Sequence, residues 1–189
     1  YKELKCDEII EGGQTMNPST EDILAAIDKV NADNVFIYPN NSNIIMAAQQ
    51  AVSLYEGKNV IIIPSKTVLQ GITALISYSP DLSAEENAEV MTEALSSVKT
   101  AEITYAVRDT ELYGKTIQNG DYMGIGEGRI LAAGTELEAI TIESVKELAD
   151  EDSEIITIYY GSAVAAEDAK RIARLIASQF EDAADGTVP

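Results

Sequence analysis

Val35-Phe36-Ile37-Tyr38-Pro39-Asn40-Asn41-Ser42-Asn43-Ile44 is the stretch that decides the fold class. Its first four residues are β-prone with no polar alternation, the pattern of a strand covered on both faces in a parallel sheet. Pro39 stops the run, and the asparagine-rich segment opens a helix whose Ile44, Ala48, Ala51 and Tyr55 share one stripe, with Ile45 and Val52 beside it. A second doubly apolar run, Val60-Ile61-Ile62-Ile63, follows. Strand, helix and strand at this spacing make a parallel crossover.

The same alternation continues outward. Ser19 and Thr20 precede Glu21 and Asp22, then Ile23, Leu24, Ile27 and Val30, which reads as a capped amphipathic helix with an acidic first turn. Helices are expected over roughly 67–77 and 84–97, the second with Ala88, Met91, Leu95 and Val98 inward and a Ser83/Glu86 capping box. From Thr100 the period becomes two: Ile103, Tyr105 and Val107 alternate with Glu102, Thr104 and Arg108. Gly114 and Asn119-Gly120 mark tight turns, and Asn-Gly is a strong hairpin signal, so an antiparallel meander is expected through about Leu131. A helix over 137–150, a strand over 155–160 and a helix with Ala169, Ile172, Ala173, Ile176 and Phe180 inward complete the pattern. The expectation is an α/β fold: a parallel-sheet βα-alternating unit over residues 1–99, then a smaller α+β unit over 100–189. With Tyr1 at one end and the loop-like Asp185-Gly186-Thr187-Val188-Pro189 at the other, the chain reads as a piece of a larger protein, its second unit truncated at the C-terminus.

Composition removes several functions. The 189 residues, 46% hydrophobic, suffice for one good core or two small ones. With no histidine and a single cysteine, Cys6, neither an internal disulfide nor a Ser-His-Asp, Cys-His or His-ligated zinc site can be assembled. A formal charge of −19 with no Lys/Arg cluster repels nucleic acid and acidic lipid surfaces. No apolar run nears the ~20 residues of a membrane span, and the N-terminus lacks signal-peptide order, so no membrane insertion and a cytoplasmic location are expected.

Ligands of open parallel sheets bind beyond the strands' carboxyl ends, where helix N-termini offer free N–H groups. Three loops take such positions. The first, after the apolar pair Ile9-Ile10, carries Gly12, Gly13, Gln14, Thr15 and Asn17; the second carries Asn40, Asn41, Ser42 and Asn43; the third carries Lys66, Thr67 and Gln70. They are rich in amides and hydroxyls and poor in charge, which suits binding a partner or small ligand better than acid–base catalysis. Each also has a structural reading: Gly12-Gly13 as a turn, the asparagines as an Asx turn and helix cap, Lys66 as a solvated lysine. Gly124-Ile125-Gly126-Glu127-Gly128 lacks the βαβ setting of a dinucleotide site and reads as a turn. Glu85-Glu86 and Asp150-Glu151-Asp152 read as solvated helix ends, and the acidic stretch after Cys6 is expected to raise its thiol pKa. No catalytic residue and no metal site is nominated.

Taken in order, Ile9 to Thr20, Pro39-Asn40-Asn41-Ser42-Asn43, Ile63-Pro64-Ser65-Lys66-Thr67 with Gln70-Gly71, Val98-Lys99-Thr100, Thr104 to Thr110 and Ile156 to Gly161 resemble the C-terminal region of the bacterial fatty acid kinase protein FakA, the YloV family. The resemblance covers nearly the whole chain. It implies a parent whose separate kinase domain, related to the DhaL component of dihydroxyacetone kinase, uses ATP and magnesium, with no cofactor in this part. It implies that this part docks FakB, a DegV-like protein carrying the fatty acid, and that the first unit shares the fold of DegV and the dihydroxyacetone-binding component of that kinase. The alternative is a small-molecule domain holding an acyl carboxylate or phosphorylated metabolite at the strand-end rim. The family's closing Gly-Gly-Gln-Pro segment and tyrosine strand are not matched, and an open sheet edge there would favour self-association.

Overall fold

A computed structural model describes residues 1, 4–12, 17–112, 115–151, 153–161, 164–180 and 184–188. The chain forms two units, 1–98 and 99–189. The first runs α1 (Thr20–Lys29), β1 (Asn34–Ile37), α2 (Ser42–Leu54), β2 (Asn59–Ile62), α3 (Val68–Ile76) and α4 (Ala84–Ala94), the last tightening into a 3-10 turn over Leu95–Ser97. β1 and β2 pair in parallel, Val35 opposite Val60 and Ile37 opposite Ile62.

Both faces of this pair are covered, which is why its strands read as unbroken apolar runs. Ile37, Val60 and Ile62 pack with Ile23 and Ile27 of α1 and Ala48 and Ala51 of α2. Phe36, Tyr38, Ile61 and Ile63 pack on the opposite face with Ala74 of α3, Met91 of α4 and Leu95. Helix entry is set by capping boxes: Ser19 Oγ accepts from the Asp22 N–H while Asp22 accepts from the Ser19 N–H, and Ser83 and Glu86 repeat the arrangement. Lys58 closes the other end of α1, its Nζ donating to the carbonyls of Ile27 and Val30 at 2.7 and 2.6 Å. The apolar pair Ile9-Ile10 forms no strand; residues 8–12 are irregular and both isoleucines are exposed. Two apolar residues without a ladder partner are too little to fix a strand.

The turn between α3 and α4 hangs on a residue that the helical stripe does not single out. Asn87 is 1% exposed; its Oδ1 accepts from the Ser79 N–H at 2.8 Å, and its Nδ2 donates to the carbonyls of Ser79, Leu82 and Ser83. One buried amide thus satisfies the backbone of the whole turn.

The second unit contains β3 (Ala101–Tyr105), β4 (Thr110–Leu112), β5 (Lys115–Ile117), β6 (Tyr122–Gly126), β7 (Arg129–Gly134), α5 (Leu137–Leu148), β8 (Ile155–Tyr159), α6 (Ala166–Ala177) and β9 (Ala184–Val188). An antiparallel sheet has the order β3-β6-β7, and β4 and β5 form a separate antiparallel pair. The overall class is mixed α/β. Ser144 of α5 lies so close to β6 that a Cβ at Gly124 would overlap its hydroxyl, which explains a glycine inside a strand.

Four expectations need correction here. Asn119-Gly120 does not join paired strands: Asp121 N–H donates to the Gln118 carbonyl in a turn leading from β5 into β6, and Gly120 and Asp121 instead bond Ala106. The hairpin turn is Glu127-Gly128, both at positive φ (49° and 74°), so Gly124 and Gly126 of the expected turn belong to β6. Tyr105 and Val107 are not inward; they are 62% and 78% exposed, and at this end of β3 the inward residues are half-buried Thr104 and buried Ala106. The run at 184–188, loop-like in sequence, is β9, held parallel to β8 from Ile155–Ala184 to Tyr159–Val188, where pairing overrides the turn propensity of Asp185-Gly186. Gly114 and Asp152 lie outside the described residues.

Replacing Asn87 with Ala is expected to lower unfolding free energy by about 2–3 kcal/mol in urea titration, against about 1 kcal/mol for Ser83→Ala. Hydrogen bonds from Ser83 hold the Glu86 carboxyl below its ordinary 4.5, so the cap's contribution is complete at neutral pH and is lost as pH falls through and below that value. The stability difference between the native chain and Ser83→Ala is therefore expected to shrink on acidification.

Candidate functional site

The loops after β1 and β2 meet at the carboxyl rim of the parallel pair, and the contact is specific. Asn40 sits in the left-handed region (φ 57°), which asparagine tolerates better than most residues. That turn aims its backbone N–H at Ser65 Oγ (3.0 Å), while the Ser65 hydroxyl donates back to Asn40 Oδ1 (2.9 Å). Ser65 is fully buried, and Pro39, which precedes Asn40, is buried too. The Tyr1 hydroxyl donates to the same Asn40 Oδ1 at 3.0 Å and lies 3.2 Å from the Val68 carbonyl. Gly71 of α3 packs against both: a Cβ there would overlap Asn40 Oδ1 and the Tyr1 hydroxyl.

The remaining polar candidates organise helix starts. Asn41 Oδ1 caps α2 by accepting from the Asn43 N–H at 2.9 Å. Thr67 Oγ1 caps α3 by accepting from the Gln70 N–H at 3.2 Å; Gln70 Oε1 accepts from the Lys66 N–H at 2.8 Å, and its Nε2 donates to the Leu95 carbonyl at 3.4 Å. Ser42, Asn43 and Lys66 face solvent, as do Gly12 and Asn17. Gly13, Gln14 and Thr15 lie outside the described residues. Structure therefore brings Asn40, Asn41, Thr67 and Gln70 to one rim and gives each a hydrogen-bonding task. Tyr1, Ser65 and Gly71 complete the arrangement, and the sequence reading does not single them out. The legible signal is Gly71, an isolated glycine inside a helical pattern, which implies close approach of another group.

Two exposed apolar side chains accompany these polar groups. Met46 in α2 is 75% exposed and Val68, the first residue of α3, is 51% exposed. Beside the rim a cleft of about 840 Å³ runs along β1, lined by residues 34–38 on one wall and by Glu8, Ile9, Ile10 and Gly12 on another. Tyr38 ends that wall; burial, then the neighbouring Cys6, Tyr1 and Tyr78, push its hydroxyl well above the ordinary tyrosine pKa, and it donates to Met91 Sδ at 3.0 Å. The Cys6 thiol is also raised, chiefly by burial; the N-terminal amino group opposes this and Asp7 raises it further. Burial thus outweighs the acidic neighbours that sequence suggests as the cause. Among the described residues no three His, Cys, Asp or Glu side chains gather as a metal site, and no helix is long and apolar enough to cross a membrane.

Comparison with known proteins matches residues 1–187 to the model of the FakA-like C-terminal family, which describes the C-terminal part of fatty acid kinase proteins. Protein YloV of Bacillus subtilis (strain 168) is 45% identical over 182 residues, 96% of this chain and 33% of that protein. A protein of Staphylococcus aureus (strain USA300) is 41% identical over 161 residues, 85% of this chain and 29% of that protein. The chain spans about a third of the length of these relatives.

Ser65→Ala would leave the partly buried Asn40 N–H without its acceptor. It is expected to cost about 1–3 kcal/mol in chemical denaturation, whereas Ser42→Ala, at an exposed position in the same rim, should change stability by less than about 0.5 kcal/mol.

Proposed function

The chain belongs to the FakA-like C-terminal family of fatty acid kinase proteins, and from that premise we propose that it is a docking module for the protein that carries the fatty acid to the kinase. In this reading the partner is FakB, a DegV-like acyl carrier, and the phosphoryl transfer belongs to an ATP- and magnesium-using domain elsewhere on a cytoplasmic parent polypeptide. The module itself contributes no catalytic group. Its first unit would be a relative of the DegV and dihydroxyacetone kinase fold.

The observation that carries the proposal is the rim. Its buried polar atoms are engaged within the fold, while Met46 and Val68 stand exposed among uncharged Ser42 and Asn43 and the single cation Lys66. Exposed apolar anchors ringed by neutral hydrogen-bonding groups suit burial against another protein. The loops 39–43 and 64–70 contain no carboxylate, although the whole chain carries a net charge of −19. A second reading, a site for a fatty acid itself, draws on the apolar cleft beside β1.

Calorimetry of this chain against a fatty-acid-loaded DegV-like protein from the same organism is expected to show saturable binding. Met46→Glu combined with Val68→Glu should weaken it at least about tenfold, roughly 1.4 kcal/mol, with unchanged circular dichroism because both side chains are exposed. No binding by the native chain would refute docking. A thermal shift with free fatty acid, abolished by filling the cleft, would favour the second reading.

A further inference from the structure

β1 uses one of its two edges. The carbonyls of Asp33 and Ile37 accept from the N–H groups of Asn59 and Ile63 at 2.8 and 2.9 Å, so the odd-numbered residues of β1 face β2. Alternation turns the N–H and C=O groups of Asn34, Phe36 and Tyr38 to the opposite edge, where no described backbone group pairs with them. That edge is a wall of the cleft, which receives all five residues from Asn34 to Tyr38. Ile27 of α1 lines the cleft from one face of the sheet and Leu75 of α3 contributes from the other helix pair. The opening therefore lies in the plane of the sheet, with apolar side chains on either hand. Beyond it stand Ile9 and Ile10, 40% and 37% exposed and without a ladder partner.

We propose that this cleft is the seat of one further β-strand, apolar on both faces, supplied by polypeptide of the parent protein that lies outside residues 1–189 and precedes Tyr1. A strand satisfies the whole geometry. It supplies acceptors and donors for the backbone groups of Asn34, Phe36 and Tyr38 and sends alternate side chains toward α1 and α3; an acyl chain would fill the volume but leave those polar groups unpaired. Its source follows from two observations. The match is to a C-terminal family and covers only 33% and 29% of the length of the relatives, so most of each relative lies outside the matched part. Tyr1 itself lines the cleft, its hydroxyl on Asn40, so polypeptide joined to Tyr1 would arrive beside the unpaired edge. An open apolar edge in the plane of a sheet otherwise invites association with another chain.

Amide hydrogen exchange tests this without the acyl carrier, so its outcome is independent of docking. In the 189-residue chain the amides of Asn34, Phe36 and Tyr38 are expected to exchange at least about 100-fold faster than those of Val35 and Ile37. In a chain extended upstream by about forty residues of its own gene, enough for a strand and a crossover, the same three amides should slow about 100-fold while the protein stays monomeric. The same upstream residues added as a synthetic peptide give a second readout if the longer chain expresses poorly. Fast exchange persisting in both formats would overturn the proposal. So would protection already present in the 189-residue chain: independent of concentration it would assign the edge to residues 8–12, and dependent on concentration it would assign it to a second copy.

Discussion

The mutual hydrogen bonds between Asn40 and Ser65 fix where the rest of the first unit can go. Two parallel strands buried on both faces have no solvent-facing side to orient them, so the relation of their exits is set by what ties the following loops together. Asn40 turns through φ 57°, presents its N–H to a fully buried hydroxyl and accepts a hydrogen bond from that hydroxyl in return. From this tie α2 departs under an Asn41 cap and α3 under a Thr67 cap. The close approach of Gly71 then brings the first turn of α3 onto the same pair. Strand pairing, helix direction and rim composition are thus one coupled arrangement, in which the buried polar groups have partners and set specificity as well as stability.

The helices and the two parallel strands were legible in sequence because their signals are local and redundant. Unbroken Val/Ile runs marked β1 and β2, the Ser83/Glu86 pair marked the start of α4 to the residue, and Ser19-Thr20 before the acidic Glu21-Asp22 marked the start of α1. What the sequence misplaced depends on contacts between distant residues. Asn119-Gly120 has the chemistry of a hairpin turn, but β6 pairs with β3 and β7, so Glu127-Gly128 does that work despite its weaker signature. At 103–107 the inward side passes from Ile103 to Thr104 and Ala106 at the end of the paired strand, although the apolar alternation marks Tyr105 and Val107. At 184–188 a turn-like composition is held extended by β8.

The candidate site was legible in place and less so in role. Asparagine, serine, threonine and glutamine at strand exits serve equally as ligand contacts and as caps, because both uses need the same short polar groups near free N–H donors. Structure assigns the capping role to Asn41 and Thr67 and the tying role to Asn40. Its buried counterpart Ser65 looks like any loop serine, since nothing in Pro64-Ser65-Lys66 announces that one hydroxyl will be completely buried.

Consumption of those groups changes what the rim can recognise. Atoms already engaged within the fold have little left for a small anionic ligand, which would need several convergent free donors. Outward-facing Met46, Val68, Ser42, Asn43 and Lys66 are instead spread over the starts of two helices and carry at most one charge. On a chain with 32 acidic and 13 basic residues, the two loops 39–43 and 64–70 lack carboxylates, and in the proposed docking they would add no charge repulsion of their own. Burying apolar side chains there would incur little desolvation of charge, so in the proposed docking affinity would rest on fit and on the rigidity that the Asn40–Ser65 tie gives the loops.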